Sequence, residues 1–240
     1  MTNLFYVSLA YKMAMLQLTL PEVNYVSRQL NLPTPHPIQM VDVTKAFVIS
    51  PRMRKPGVTI DTTNFFFSFP NGKLYTVVNK EKHMERFDLY PIWANTPSLI
   101  NSNGAHQLAT QWLAAIDVDV GALEKKYGSQ MKIEQAFFWN QPGLGFYHPP
   151  GDTNKTMLPI FNVTWGSNFN KTWGTNWVNY QAQVRILGTT KELMELTLGD
   201  SFLSRRPSLI ITNAEELNNI PNPPMMRLEQ PSQLQTNSAV

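Results

Sequence analysis

The chain has 240 residues, 42% of them hydrophobic and 11% aromatic, with a formal charge of +3 and a pI near 9.0. A chain of this length buries one large core or two small ones. It contains no cysteine, which excludes disulfides, thiolate metal sites and cysteine nucleophiles, and its Lys and Arg are interspersed with Asp and Glu, as in KEKHMER at 80–86, rather than gathered into the cationic stripe of a nucleic-acid surface.

The opening MTNLFYVSLAYKMAMLQLTL is apolar but lacks the basic start and small-residue cleavage site of an export signal, and Lys12 interrupts it. It reads as an amphipathic helix. No stretch reaches the roughly 18 uninterrupted apolar residues of a membrane span. Pro21 is tolerated in the first turn of a helix, so residues 10–30 are expected to form two short helices or one kinked helix. Strands follow at TKAFVIS (44–50) and FFFSFP (65–70), with SPRMRKPG and PNG as short connections. In KLYTVVNKEKHMERFDLY (73–90), Tyr75 and Val77 alternate before NKEK, and Phe87 and Leu89 after it. That spacing predicts a hairpin with one buried face.

A second helical region spans 105–127, where Leu108, Trp112, Ala115 and Ile116 share a face. Ser102 or Asn103 is expected to cap its start, Asp117 or Asp119 to cap a new helix midway, and Gly128 to end it. Strands are predicted at IEQAFFW (133–139) and FNVTWG (161–166), then a hairpin in AQVRILGTTKELMELTLG (182–199), with Val184, Ile186, Leu196 and Leu198 on its buried face. Here GTTK is the turn, its glycine supplying the left-handed backbone a hairpin needs. Asn213 caps a last short helix, AEELNNI, and residues 222–240 read as an irregular tail.

The tetrapeptide PSLI recurs at 97–100 and 207–210, and residues 73–90 align with 182–199 at nearly the same offset, apolar on apolar. The expected fold is therefore α+β: two tandem repeats, each a helical region packed on a four-stranded antiparallel sheet, over 1–100 and 101–221. A helix across a four-stranded meander, in tandem, resembles the PepSY-like and cystatin-like α+β modules. VRILGTTKELMEL is similar to the strand pair that closes a PepSY unit, and the whole arrangement resembles that of exported bacterial proteins. The resemblance implies peptidase regulation or protein binding without catalysis, with a protein or peptide partner and no cofactor. It also implies a periplasmic or extracellular location, the cytoplasm remaining the alternative. The cystatin signature QxVxG is absent; QAQVRILG (181–188) is a near miss that a core strand already explains.

No motif carries catalysis. The histidines, His36, His83, His106 and His148, fall in separate elements without the close pairing of a zinc helix. Asp117 and Asp119 are two apart and diverge on a helix. PGLG (142–145) lacks the lysine and helix of a phosphate loop. Two aromatic-rich insertions stand out: WNQPGLGFYHPPGD (139–152), with Trp139, Phe146, Tyr147 and His148, and WGSNFNKTWGTNW (165–177), with Trp173 and Trp177. Exposed loop rings bind sugars or polypeptides with little entropy to lose; rings that fold back instead plug the ends of the sheet. These six residues are the ligand-binding candidates. The function expected is a non-catalytic binding or scaffolding protein for a protein or peptide, the alternative being a carbohydrate-binding module using Trp173, Trp177 and nearby Asn side chains. No metal site, nucleic acid or membrane insertion is expected.

Overall fold

In a computed structural model the described residues are 9–49, 57–139, 155–172 and 175–199; at Phe138, Trp139, Lys155, 167–172 and 175–180 the backbone alone is described. The predicted helix AEELNNI with its cap Asn213, and the tail at 222–240, lie outside them. No helix among the described residues is long and apolar enough to cross a membrane.

The first helix, α1 (Leu9–Gln29), is one element that contains Pro21. Tyr11, Met15, Val23, Val26 and Leu30 recur at helical spacing and are buried, and the Thr19 hydroxyl between them is satisfied by donating to Met15 O at 2.6 Å. Asn31 ends it in the left-handed conformation (φ 50°), and Leu32 N returns to Ser27 O at 2.9 Å. Asn tolerates this closure better than other residues that carry a side chain.

Four antiparallel strands follow: β1 (Lys45–Ile49), β2 (Gly57–Asp61), β3 (Phe65–Pro70) and β4 (Thr76–Asn79). After the short α2 (Tyr90–Ala94) come α3 (Ser102–Ala115) and α4 (Val120–Tyr127). Four more strands complete the described chain: β5 (Lys132–Trp139), β6 (Lys155–Thr172), β7 (Thr175–Leu187) and β8 (Glu192–Leu198). All eight belong to one sheet, ordered β1-β2-β3-β4-β8-β7-β6-β5. The fold is thus α+β with a single eight-stranded sheet, where two four-stranded sheets were expected.

Alternation along the strands builds the core. Val58, Ile60, Phe65, Phe67, Phe69 and Val77 from the first four strands face the same way as Val163, Trp165, Val184, Ile186, Leu196 and Leu198 from the last four, and all are buried in one cluster with residues of α1, α3 and α4. Neighbouring positions Leu158, Ile160 and Leu187 point to the other face, where Trp93 of α2 covers them together with Met194. A register shift between Arg185 and Ile186, which pair with Glu195 and Leu193, lets both Leu193 and Leu196 reach the main core although they are three apart.

Several expectations are corrected. Residues 73–90 are not a hairpin: β4 is followed by turns and a 3-10 turn at Phe87–Leu89. Tyr75 is 38% and Phe87 51% exposed, whereas Val77 is fully buried. Asn79 explains the failure, because its side-chain Oδ1 accepts from Glu81 N and Lys82 N and so bends the chain out of the sheet. The fourth strand of this half is instead supplied by β2, whose GVTID begins within what reads as a loop. On α3 the fully buried residues are Ala105, Ala109 and Leu113, one position round from Leu108 and Trp112, which are only partly buried against the same core; Ile116, just past the helix, is buried as predicted, and the N-cap is Asn101, whose side chain accepts from Gly104 N at 3.0 Å. WGSNFNKTWGTNW is not a loop but the far part of a long β6–β7 hairpin, paired as far as Thr172 with Thr175.

The predicted cap at Asp119 is present, accepting from Ala122 N at 3.0 Å. The predicted turn at 188–191 is present too, but Lys191, not Gly188, takes the left-handed conformation (φ 57°). Gly188 is needed for close approach: a Cβ there would lie 2.4 Å from Ser98 Oγ.

Candidate functional site

The aromatic segments do not supply a describable site. Phe146, Tyr147, His148 and Trp173 lie outside the described residues, and for Trp139 and Trp177 only the backbone is described, paired with Lys155 and Asn170 respectively. The backbone does fix where the segments attach: the 139–155 connection leaves one end of the 18-residue β6 and the turn after Thr172 leaves the other, roughly 55 Å of strand apart.

The site that both halves of the chain build is elsewhere, at the seam where β4 pairs with β8. The chain leaving α1, the face of α3 and the β7–β8 turn enclose a cleft of about 320 Å³ there. Its floor is Phe65, Asn79 and Leu193, each buried. Phe65 stands opposite Asn79 in the β3–β4 register, and Asn79 Nδ2 donates across the seam to Leu193 O at 3.3 Å. Leu108 and Trp112, partly buried at the edge of the main core, form one wall. Leu30 to Pro33 form the other wall.

Thr190, Lys191 and Glu192 stand at the turn end of this cleft. Burial pushes the Glu192 carboxyl up, but its ion pair with Lys82 and its hydrogen bond with Thr190 outweigh that, so it is held below the usual glutamate value. Lys191 is exposed and makes no ion pair among the described residues. No local motif announces this site, because its residues come from positions 30–33, 65, 79, 108, 112 and 190–193.

A larger depression, about 410 Å³, lies beside α1 between Pro21, Asn24, Arg28, His36 and Pro37. Four of these five are exposed, so it is a shallow surface feature, and both polar atoms of Asn24 are engaged with the backbone of Ile38. A partly buried polar constellation joins α3, α4 and β6: Glu124 Oε1 accepts from Trp165 Nε1 at 2.8 Å and lies 3.1 Å from His106 Nε2. Gly128 sits where a Cβ would come 2.9 Å from the other oxygen of Glu124, so that glycine serves this carboxylate and ends α4 with a right-handed backbone (φ −57°). Asp117 accepts from Tyr25 OH at 2.7 Å while Asp119 caps α4, so the two carboxylates have separate tasks. No group of three or more His, Asp or Glu able to hold a metal occurs among the described residues.

No protein-family model, curated protein or solved structure matches the chain significantly.

Proposed function

We propose that this is a non-catalytic binding protein built from two copies of one helix-plus-meander unit, and that it takes a segment of a polypeptide partner in the cleft where the copies meet. The strand order supports the two-copy reading: each half is a helical region followed by a four-stranded meander, and the halves meet last strand to last strand, β4 on β8. Such an arrangement is what a duplicated unit related by a two-fold axis produces. It also keeps the resemblance to PepSY-like and cystatin-like modules, with the equivalent strands now matched by their order instead of by the 73–90 alignment.

The observation that carries the binding reading is that Trp112 and Leu108, only partly buried, stand over a buried floor. An aromatic wall beside a desolvated base is the setting in which a few side chains supply most of the affinity for a polypeptide. The test is an array of random peptides with free C-termini, probed with the full chain and with its Trp112→Ala variant. Peptides rich in apolar residues, captured by the native chain and released by the variant, are the expected result. Equal capture by both chains would remove the cleft from the function.

A further inference from the structure

We infer that the cleft reads the end of a polypeptide: an apolar C-terminal side chain lies between Trp112 and the floor, and its carboxylate pairs with Lys191. This deepens the binding reading and rests on it. Three observations carry it.

The first is size. At about 320 Å³ the cleft is at the small end of the roughly 300–1,000 Å³ range of ligand pockets. It accommodates one large side chain and the main-chain group beside it, not a long segment passing through.

The second is the state of the polar groups. Asn79, at the base, spends Nδ2 on Leu193 O and Oδ1 on two backbone amides. Glu192 is paired with Lys82. These groups are already committed, so polar recognition falls to the rim, where the charge of Glu192 is balanced by Lys82 from outside the cleft and Lys191 leaves one positive charge. An anion is the complementary ligand charge.

The third is placement. The cleft is rimmed by two non-glycine residues in the left-handed conformation, Asn31 (φ 50°) and Lys191 (φ 57°). Lysine is an uncommon occupant of that region, which Asn, Asp and Gly hold at lower cost. The Asn31 side chain makes no hydrogen bond among the described residues, so an ammonium and an amide donor are both available to a carboxylate, which accepts from several donors at once.

The experiment compares fluorescein-labelled pentapeptides ending in Phe, as the free acid and as the C-terminal amide, by anisotropy against the full chain at low and moderate salt. The acid is expected to bind about fivefold more tightly than the amide, the scale of an exposed charge pair. That margin should shrink with salt, vanish in Lys191→Met and return in Lys191→Arg, while Trp112→Ala weakens acid and amide alike. Acid and amide binding equally, with both lost in Trp112→Ala, would overturn the carboxylate assignment and leave the polypeptide reading standing. Binding of neither peptide would overturn both. 3-Phenylpropionate displacing the acid peptide at a concentration equal to the peptide's own Kd would overturn the polypeptide source in favour of a small aromatic acid.

Discussion

Val77 of β4 lies directly opposite Leu196 of β8, and both side chains are fully buried. This pair is the centre of the three register pairs, Thr76 with Thr197 and Val78 with Glu195 on either side, that join the two halves of the sheet. Thr76 Oγ1 reinforces the joint by donating to Leu196 O at 2.9 Å. One core cluster continues across it.

Leu196→Ala should therefore cost about 2–5 kcal/mol, the range for a buried leucine whose cavity cannot collapse. Because the core crosses the seam, urea unfolding should remain a single transition with coincident fluorescence and circular dichroism curves. Two separated transitions would mean that the halves fold independently. Phe87→Ala, at a ring that is 51% exposed and touches Tyr90 edge-on, should cost about 1 kcal/mol or less.

Trp165 is fully buried and its indole N–H has Glu124 as acceptor. Glu124→Ala leaves a buried donor without a partner, a loss of about 1–3 kcal/mol. Glu124→Gln keeps an acceptor oxygen and should retain much of that. Denaturant melts that rank the two variants equally would show that the indole finds another acceptor.

The hairpin at 182–199 was legible because Val184 and Ile186 before its turn, and Leu196 and Leu198 after it, each keep a period of two about a genuine turn at 188–191. The first half misled for a physical reason. Phe87 and Leu89 continue the alternation of Tyr75 and Val77, but Asn79 is an internal acceptor for the next backbone amides, and periodicity is blind to a side chain that competes with the ladder. Likewise β2 escaped because Val58 and Ile60 supply only two inward residues after a basic, proline-containing run. The cleft was illegible for another reason: Trp112 reads as core on a helical wheel, and only the position of α3 over the sheet shows that Ala105, Ala109 and Leu113 are fully buried while Trp112 packs at the edge of that core and keeps part of its surface exposed.

Gly188 accepts no larger residue without displacement. Its N–H donates to Pro159 O at 2.6 Å and its carbonyl accepts from Leu99 N at 2.9 Å, so the backbone cannot retreat from Ser98. Gly188→Ala should cost about 1–3 kcal/mol. Removing the nearest obstacle in Gly188→Ala/Ser98→Gly should recover part of it, measured as non-additivity in a double-mutant cycle.

The Glu192 carboxyl, held low by Lys82 and Thr190 against the opposing effect of burial, makes stability depend on pH in a defined direction. A carboxyl with a depressed folded value contributes fully above its unfolded value of about 4.3 and loses that contribution as pH falls through the folded value. Unfolding free energy should accordingly drop below about pH 4.3. Lys82→Met should flatten that segment relative to the native chain while changing little at lower pH, where the carboxyl is protonated in both states.

Lys191 separates folding from recognition. At φ 57° any side chain with a Cβ carries a strain of about 1–3 kcal/mol, so Lys191→Ala, which keeps the Cβ, should change stability by about 0.5 kcal/mol or less. Lys191→Gly removes the strain and gives back about 0.5–1 kcal/mol through the greater entropy of an unfolded glycine, leaving a net gain between about 0 and 2.5 kcal/mol. Thermal melts that place Gly above both Ala and the native Lys would show that this turn holds lysine at a cost to the fold. A cost of that kind, borne at the rim of the cleft, is the signature expected where the ammonium is kept for a ligand. Melts with all three residues equal would locate the strain elsewhere and remove the support that backbone placement lends to the role of Lys191.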